Sequence, residues 1–156
     1  ADLGVWMLNV HTAGGVAMLE QAMSAISATG SERPLLIGVT VLTSMAREDL
    51  AAVGIDEEPQ TQVRRLAALA HSAGLDGVVC SAAETVMLSQ QFPADFCLVT
   101  PGIRRPENAA NDQKQEVGPA EAIRNGSNYL VVGRPITQAP DPAAALAAFN
   151  SAVTGD

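Results

Sequence analysis

The chain has 156 residues, 47% of them apolar, and nine Lys plus Arg against seventeen Asp plus Glu give a net charge of −8. That length and apolar content suit one globular domain with a full core, and the charge argues against nucleic acid or an anionic membrane surface as a partner. No segment approaches the ~18 consecutive apolar residues of a membrane span, the N-terminus lacks the basic, apolar and small-residue order of a signal peptide, and Cys80 and Cys97 lie in apolar runs, where they read as buried thiols of a cytoplasmic protein.

In chain order, Ala1-Asp2-Leu3-Gly4 reads as the last turn of a helix with Gly4 as its stop, so the chain is expected to begin inside a structural unit. An apolar run over 5–10 then predicts a strand, and 16–28 predicts a helix with Met18, Leu19 and Met23 on its apolar face. A second strand over 35–42 leads to a short extra helix over 46–54. Its Glu48 and Asp49, and the later Glu57 and Glu58, read as solvated surface. Helix 60–73, strand 77–80, helix 83–91 and strand 97–99 follow. A polar loop over 104–118 precedes helix 119–125, strand 129–132 and a closing helix over 142–153. Gly30, Gly74 and Gly126 stand where C-terminal caps belong, and Pro59, Pro119 and Pro142 stand near helix starts.

The fold class is therefore α/β, with five β-branched runs read as parallel strands buried on both faces. Two architectures satisfy this order: an open doubly wound sheet, or part of a (β/α)8 barrel, whose usual ~250 residues for eight units leave room here for five. Neither a Gly-x-Gly-x-x-Gly turn nor a Walker-type loop occurs, so the open sheet gains no nucleotide motif.

Barrel chemistry gathers where strands end. The first run is followed by Asn9 and His11, the second by Thr40, Thr43 and Ser44, the third by Ser81, the fourth by Thr100 and Arg104, and the fifth by Gly133 and Arg134. Taken singly, each reads as strand-end solvation or a helix cap. Together, Thr100-Pro101-Gly102-Ile103-Arg104 and Leu130-Val131-Val132-Gly133-Arg134-Pro135 read as two halves of a phosphate clamp. Gly133 allows close backbone approach, two N–H groups can donate to an oxyanion, and Arg134 supplies a charged fork. The competing reading of Arg134 is a surface ion pair. The loop opened by Arg104 and containing Gln113 has the length of a lid. His11 reads as a structural strand-end histidine and His71 as a partner of its helix's C-terminal dipole. No His, Cys, Asp and Glu set has metal-ligand spacing, and Lys114 is the only lysine.

Several stretches resemble the orotidine 5′-phosphate decarboxylase family in its bacterial form. They are Gly4-Val5-Trp6-Met7-Leu8-Asn9-Val10-His11, Leu35 through Val41-Leu42-Thr43-Ser44-Met45, Gly74-Leu75-Asp76-Gly77-Val78-Val79-Cys80-Ser81-Ala82, Val99-Thr100-Pro101-Gly102-Ile103-Arg104, Asp112-Gln113 and 129–135. The resemblance runs the length of the chain. It implies a dimeric (β/α)8 TIM barrel of which these residues form strands four to eight, a single domain over 1–156 with its N-terminal βα units elsewhere. It also implies orotidine 5′-phosphate and UMP as ligands and no cofactor. Carried over by position, Thr43 meets the pyrimidine ring, while Arg104, Gln113, Gly133 and Arg134 hold the nucleotide, chiefly its 5′-phosphate. The family's Asp-x-Lys-x-x-Asp reaction centre has no counterpart in the sequence, so no catalytic residue is assigned and the chain alone is expected to be inactive. The alternative is a non-catalytic nucleotide-binding or assembly module completed by another polypeptide. Another phosphate-binding barrel, such as an epimerase or aldolase, is less favoured by Thr43-Ser44 and Asp112-Gln113.

Overall fold

A computed structural model of the protein describes residues 3–30, 33–104 and 117–154. Five parallel strands, β1 (Met7–His11), β2 (Leu35–Val39), β3 (Gly77–Val79), β4 (Cys97–Pro101) and β5 (Tyr129–Val131), pair in sequence order. Helices α1 (Val16–Ser27), α2 (Arg47–Ala52), α3 (Pro59–Ser72), α4 (Ala82–Gln91), α5 (Pro119–Arg124), α6 (Arg134–Thr137) and α7 (Pro142–Thr154) fill the connections. A 3-10 turn follows β1 over Thr12–Gly14. Prolines open α3, α5 and α7, where a missing N–H costs nothing. Gly30, Gly74 and Gly126 take φ of 95°, 81° and 106°, the left-handed values of helix stops.

Register divides the sheet into two faces. Leu36, Val78 and Leu98 point to the helices and join Leu19, Val63 and Leu88 in the main core. A second cluster, Ile103, Ala122 and Phe149 with Leu130 and Val132, packs β5 against α5, α6 and α7. Two strand glycines let backbone and neighbours close in. A Cβ on Gly38 would stand 2.6 Å from Thr12 Oγ1, and one on Gly77 would collide with the Cys97 carbonyl.

The opposite face settles the architecture. His11, Val39, Val79, Val99 and Tyr129 form one register row. In a flat sheet, four strand spacings of about 4.8 Å would hold β1 and β5 about 19 Å apart. Yet the rings of Trp6, just before β1, and Tyr129, at the start of β5, have centroids 5.1 Å apart. The sheet therefore curls into the wall of a (β/α) barrel, five units of the eight.

The expectation that all five strands are buried on both faces holds only for the middle three. β1 and β5 lie at the edges of the arc, and Trp6 and Val131 remain 60% and 49% exposed. The thiols also divide. Cys80 is buried, but Cys97 is only half-buried, because its register partner on β3 is the side-chain-free Gly77. His71 does more than face a helix dipole: its ring packs on Phe92 and Phe96 at 5.4 and 5.2 Å.

Parallel register is pinned at two strand entrances built alike. After Gly74, Asp76 donates its N–H to the Leu36 carbonyl and accepts the Leu36 N–H on its carboxylate at 2.7 Å. After Gly126, Asn128 donates to the Leu98 carbonyl and accepts the Leu98 N–H on its side-chain oxygen at 2.8 Å. Asp76 is further gripped by both terminal nitrogens of Arg33, at 2.7 and 2.8 Å. Partial burial by itself raises the Asp76 carboxyl, but the Arg33 and Leu36 hydrogen bonds and the Arg33 charge outweigh it and leave it below the ordinary value. A depressed folded-state value contributes stability that is present above about pH 4 and lost as pH falls through that value. Replacing Asp76 by Ala should therefore cost about 2 kcal/mol at pH 7 in urea unfolding, with the deficit shrinking below about pH 4. A deficit that did not change with pH would remove Arg33 from the account.

Candidate functional site

The carboxyl ends of β2, β3 and β4 open into one cleft of about 590 Å³. It is lined by 41–46 after β2, Pro59 and Gln60 at the start of α3, 81–84 at the start of α4, and Pro101 and Gly102 after β4. That volume lies within the range of small-ligand sites, about 300–1,000 Å³. Thr43 and Ser44 sit on one wall and Ser81 and Glu84 on another, so the lining is mixed, with polar groups on both sides of the cavity. Thr40 sets the first wall by donating its hydroxyl to the Val79 carbonyl at 2.7 Å, which ties the end of β2 to β3. Gly102 takes φ of 78°, a turn available to glycine at little cost, and redirects the chain after β4.

Beyond that turn, Ile103 is buried and bridges to Val117, and Arg104 donates its backbone N–H to the Val117 carbonyl at 3.3 Å. The two ends of the predicted lid are thereby held side by side. Gln113, Lys114 and the lid itself, 105–116, lie outside the described residues. Arg104 is half-buried at the base of that segment.

The second half of the predicted clamp forms a turn that the periodicity did not reveal. β5 runs through Val132 to Gly133, which caps the four-residue α6, and Arg134 is its first helical residue. The Ile136 and Thr137 N–H groups bond to the Gly133 carbonyl at 2.9 and 3.0 Å, which folds the turn tightly. The N–H groups of Gly133 and Arg134 precede the first intrahelical bonds, as at any helix start. A Cβ on Gly133 would meet nothing within 4 Å, so internal packing does not demand a glycine there. Arg134 is exposed and makes no ion pair among the described residues, so the surface ion pair that competed for it is absent. Thr43 thus lines the cleft, while Gly133 and Arg134 stand at the neighbouring strand end outside its lining.

Glu84 was not singled out by the sequence reading, although Ser81-x-x-Glu84 has the spacing of a capping box. Its carboxylate accepts the Ser81 N–H at 2.7 Å. Burial pushes the Glu84 carboxyl above its ordinary range, partly offset by its hydrogen bonds to Ser81. Beneath the cleft, burial, with a smaller push from Glu84, lifts the Cys80 thiol to about 12. Among the described residues no three His, Cys, Asp or Glu side chains gather as a metal site, and no helix is long and apolar enough to cross a membrane.

A curled parallel sheet with a cleft at its carboxyl strand ends and an arginine-bearing turn beside it defines the active-face layout of a (β/α) barrel enzyme. A sequence model of the orotidine 5′-phosphate decarboxylase / HUMPS family matches residues 1–149, and the chain belongs to that family. It is 53% identical over 154 residues to an orotidine 5′-phosphate decarboxylase of Vibrio vulnificus strain CMCP6, covering 99% of this chain and 66% of that protein. It is 57% identical over 149 residues to the one of Pseudomonas aeruginosa strain LESB58, covering 96% and 64%. Among solved structures, the orotidine 5′-phosphate decarboxylase of Lactobacillus acidophilus superposes with a TM-score of 0.83 at 37% identity, covering 97% of this chain and 64% of that one. The chain thus spans about two thirds of the length of these relatives.

The two thiols provide a check on the core behind β3. With its thiol raised to about 12 and no exposed surface, Cys80 should resist iodoacetamide at pH 8 in the folded protein, whereas the half-exposed Cys97 should be alkylated first. Peptide mass mapping after a timed pulse reads the order, and early labelling of Cys80 would show that the core between β3 and its helices opens.

Proposed function

We propose that the protein to which these residues belong decarboxylates orotidine 5′-phosphate to UMP, with this chain supplying the grip on phosphate and ring. The family membership carries the activity. The observation that carries the division of labour is the separation of the Thr43 cleft from the exposed Gly133–Arg134 turn at the neighbouring strand end. Orotidine 5′-phosphate carries its reacting carboxylate on a flat pyrimidine ring at one end and a phosphate dianion at the other, and the two subsites, a cleft and an arginine-bearing turn, correspond to those two ends. Thr43 meets the pyrimidine ring. Arg134 and the N–H groups of its turn hold the 5′-phosphate, joined by Arg104 and by Gln113 from the 105–116 segment.

Grip on a phosphate that does not react lowers the barrier only if it is realised more fully in the transition state than in the ground state. The segment between Arg104 and Val117 supplies the means. Its ends are pinned side by side, so contact between Arg104, Gln113 and the phosphate can draw the intervening chain over the ring and exclude water. The Asp-x-Lys-x-x-Asp centre that protonates the ring carbon as carboxylate leaves is contributed by βα units outside these 156 residues, in a barrel that acts as a homodimer and needs no metal or organic cofactor.

Arg134→Ala in the whole enzyme should lower kcat/KM for orotidine 5′-phosphate by about a hundredfold or more, the scale of a lost charge-assisted bidentate contact in the transition state. A loss under about threefold would refute the assignment. The 156-residue chain alone should show no turnover, and activity should return on mixing with a chain carrying the first three βα units. Turnover by the chain unaided would overturn this division, whereas UMP binding without restored activity would favour a binding module.

A further inference from the structure

Glu84 stands out in the cleft because a carboxylate there costs desolvation and because its turn is tied more heavily than a helix start requires. Ser81 is held three ways: its N–H by the Glu84 carboxylate at 2.7 Å, and its carbonyl by the Glu84 N–H at 3.0 Å and the Thr85 hydroxyl at 3.1 Å. One residue earlier, the Cys80 N–H bonds to the Val99 carbonyl at 3.1 Å, so the turn is anchored to β4 as well. Thr85 is fully buried, and its hydroxyl lies 4.0 Å from the Cys80 sulfur. The wall that results, Ser81 to Glu84, lines the same cavity as Thr43 and Ser44.

We propose that Glu84 is a positioning residue for the ring-binding side of the site: by holding the Ser81 N–H it fixes the β3–α4 turn as the cleft wall that shares the ligand's ring with Thr43. The inference rests on the nucleotide-binding reading given above. Glu84 itself touches no reacting atom. Its effect passes through the placement of the Ser81–Ala83 backbone, so it should act on ring affinity and leave the phosphate subsite at Gly133 and Arg134 alone. A residue serving only to start α4 would instead lower stability without changing how ring and phosphate are discriminated.

The test compares Glu84→Ala and Glu84→Gln in the whole protein, using UMP, uridine and inorganic phosphate as separate probes. Glu84→Ala should weaken UMP and uridine alike, by about tenfold, the scale of one misplaced hydrogen-bonded wall, while inorganic phosphate binds as before. Glu84→Gln, which keeps an acceptor for the Ser81 N–H, should restore UMP affinity to within about threefold of the unmodified protein. Unchanged UMP and uridine affinity with a lowered melting temperature would overturn the proposal and leave Glu84 a helix cap. Equal weakening of inorganic phosphate would overturn it too, since the effect would then be global. If Glu84→Ala fails to fold, Glu84→Gln combined with Ser81→Pro, which deletes the N–H in question, should reproduce the uridine loss; retained uridine affinity there would equally refute it. Failure of the parent reading looks different: the unmodified protein would bind neither UMP nor uridine, or Arg134→Ala would leave UMP affinity unchanged.

Discussion

Everything on the active face depends on parallel strands keeping their register, and that register is set at the opposite end of the sheet. A strand that slips by one residue moves every side chain to the other face. Here the slip is blocked at β2–β3 by Asp76 and at β4–β5 by Asn128, each taking the N–H of its neighbour's second residue on a side-chain oxygen. The two entrances share a preceding glycine stop and the same pair of hydrogen bonds. One uses a carboxylate backed by Arg33, the other a neutral amide. The helical face and the inward face are therefore sorted before any ligand group is placed.

From that anchor the two halves of the active face separate naturally. β2, β3 and β4 belong to the large core around Leu19, Val63 and Leu88, and their carboxyl ends form the cleft that Thr43, Ser44, Ser81 and Glu84 line. β5 packs in its own small cluster with α5, α6 and α7, and that cluster also holds Ile103 and Val117 at the base of the 105–116 segment. The arginine-bearing turn and both ends of that segment thus share one packing unit, distinct from that cleft. In the function proposed above, phosphate contact at Arg134 and at Arg104 bears on this one packing unit, which is how remote binding energy is realised in a transition state.

In a chain of net charge −8, the anion site proposed above has to stand against the overall field. Five of the seventeen acidic residues are committed elsewhere: Asp76 to Arg33, Glu57 to Arg65, Glu58 to Arg47, Asp49 and Glu84 to backbone N–H groups at helix starts. The exposed pairs among these add little stability. Around α6 no acid occupies the first turn, and Arg134 stands in the open. A local positive site thereby survives within an unfavourable overall field.

The sequence alone determined the βα order, because β-branched runs and helical periods are local signals, and the glycine and proline punctuation marks their ends without reference to anything distant. It also placed Thr43 and Arg134 at strand ends and, through resemblance, gave each a ligand group to hold. It did not show that α6 folds at once after Gly133, because four residues carry no period to read. Nor did it show that β1 and β5 keep an exposed face, since burial of an apolar run depends on what lies beside it. The capping pair Ser81 and Glu84 was readable as a helix start, but its place in the cleft was not. That depends on three strands ending at one level, a consequence of register and curl that only the meeting of Trp6 with Tyr129 across the sheet makes visible.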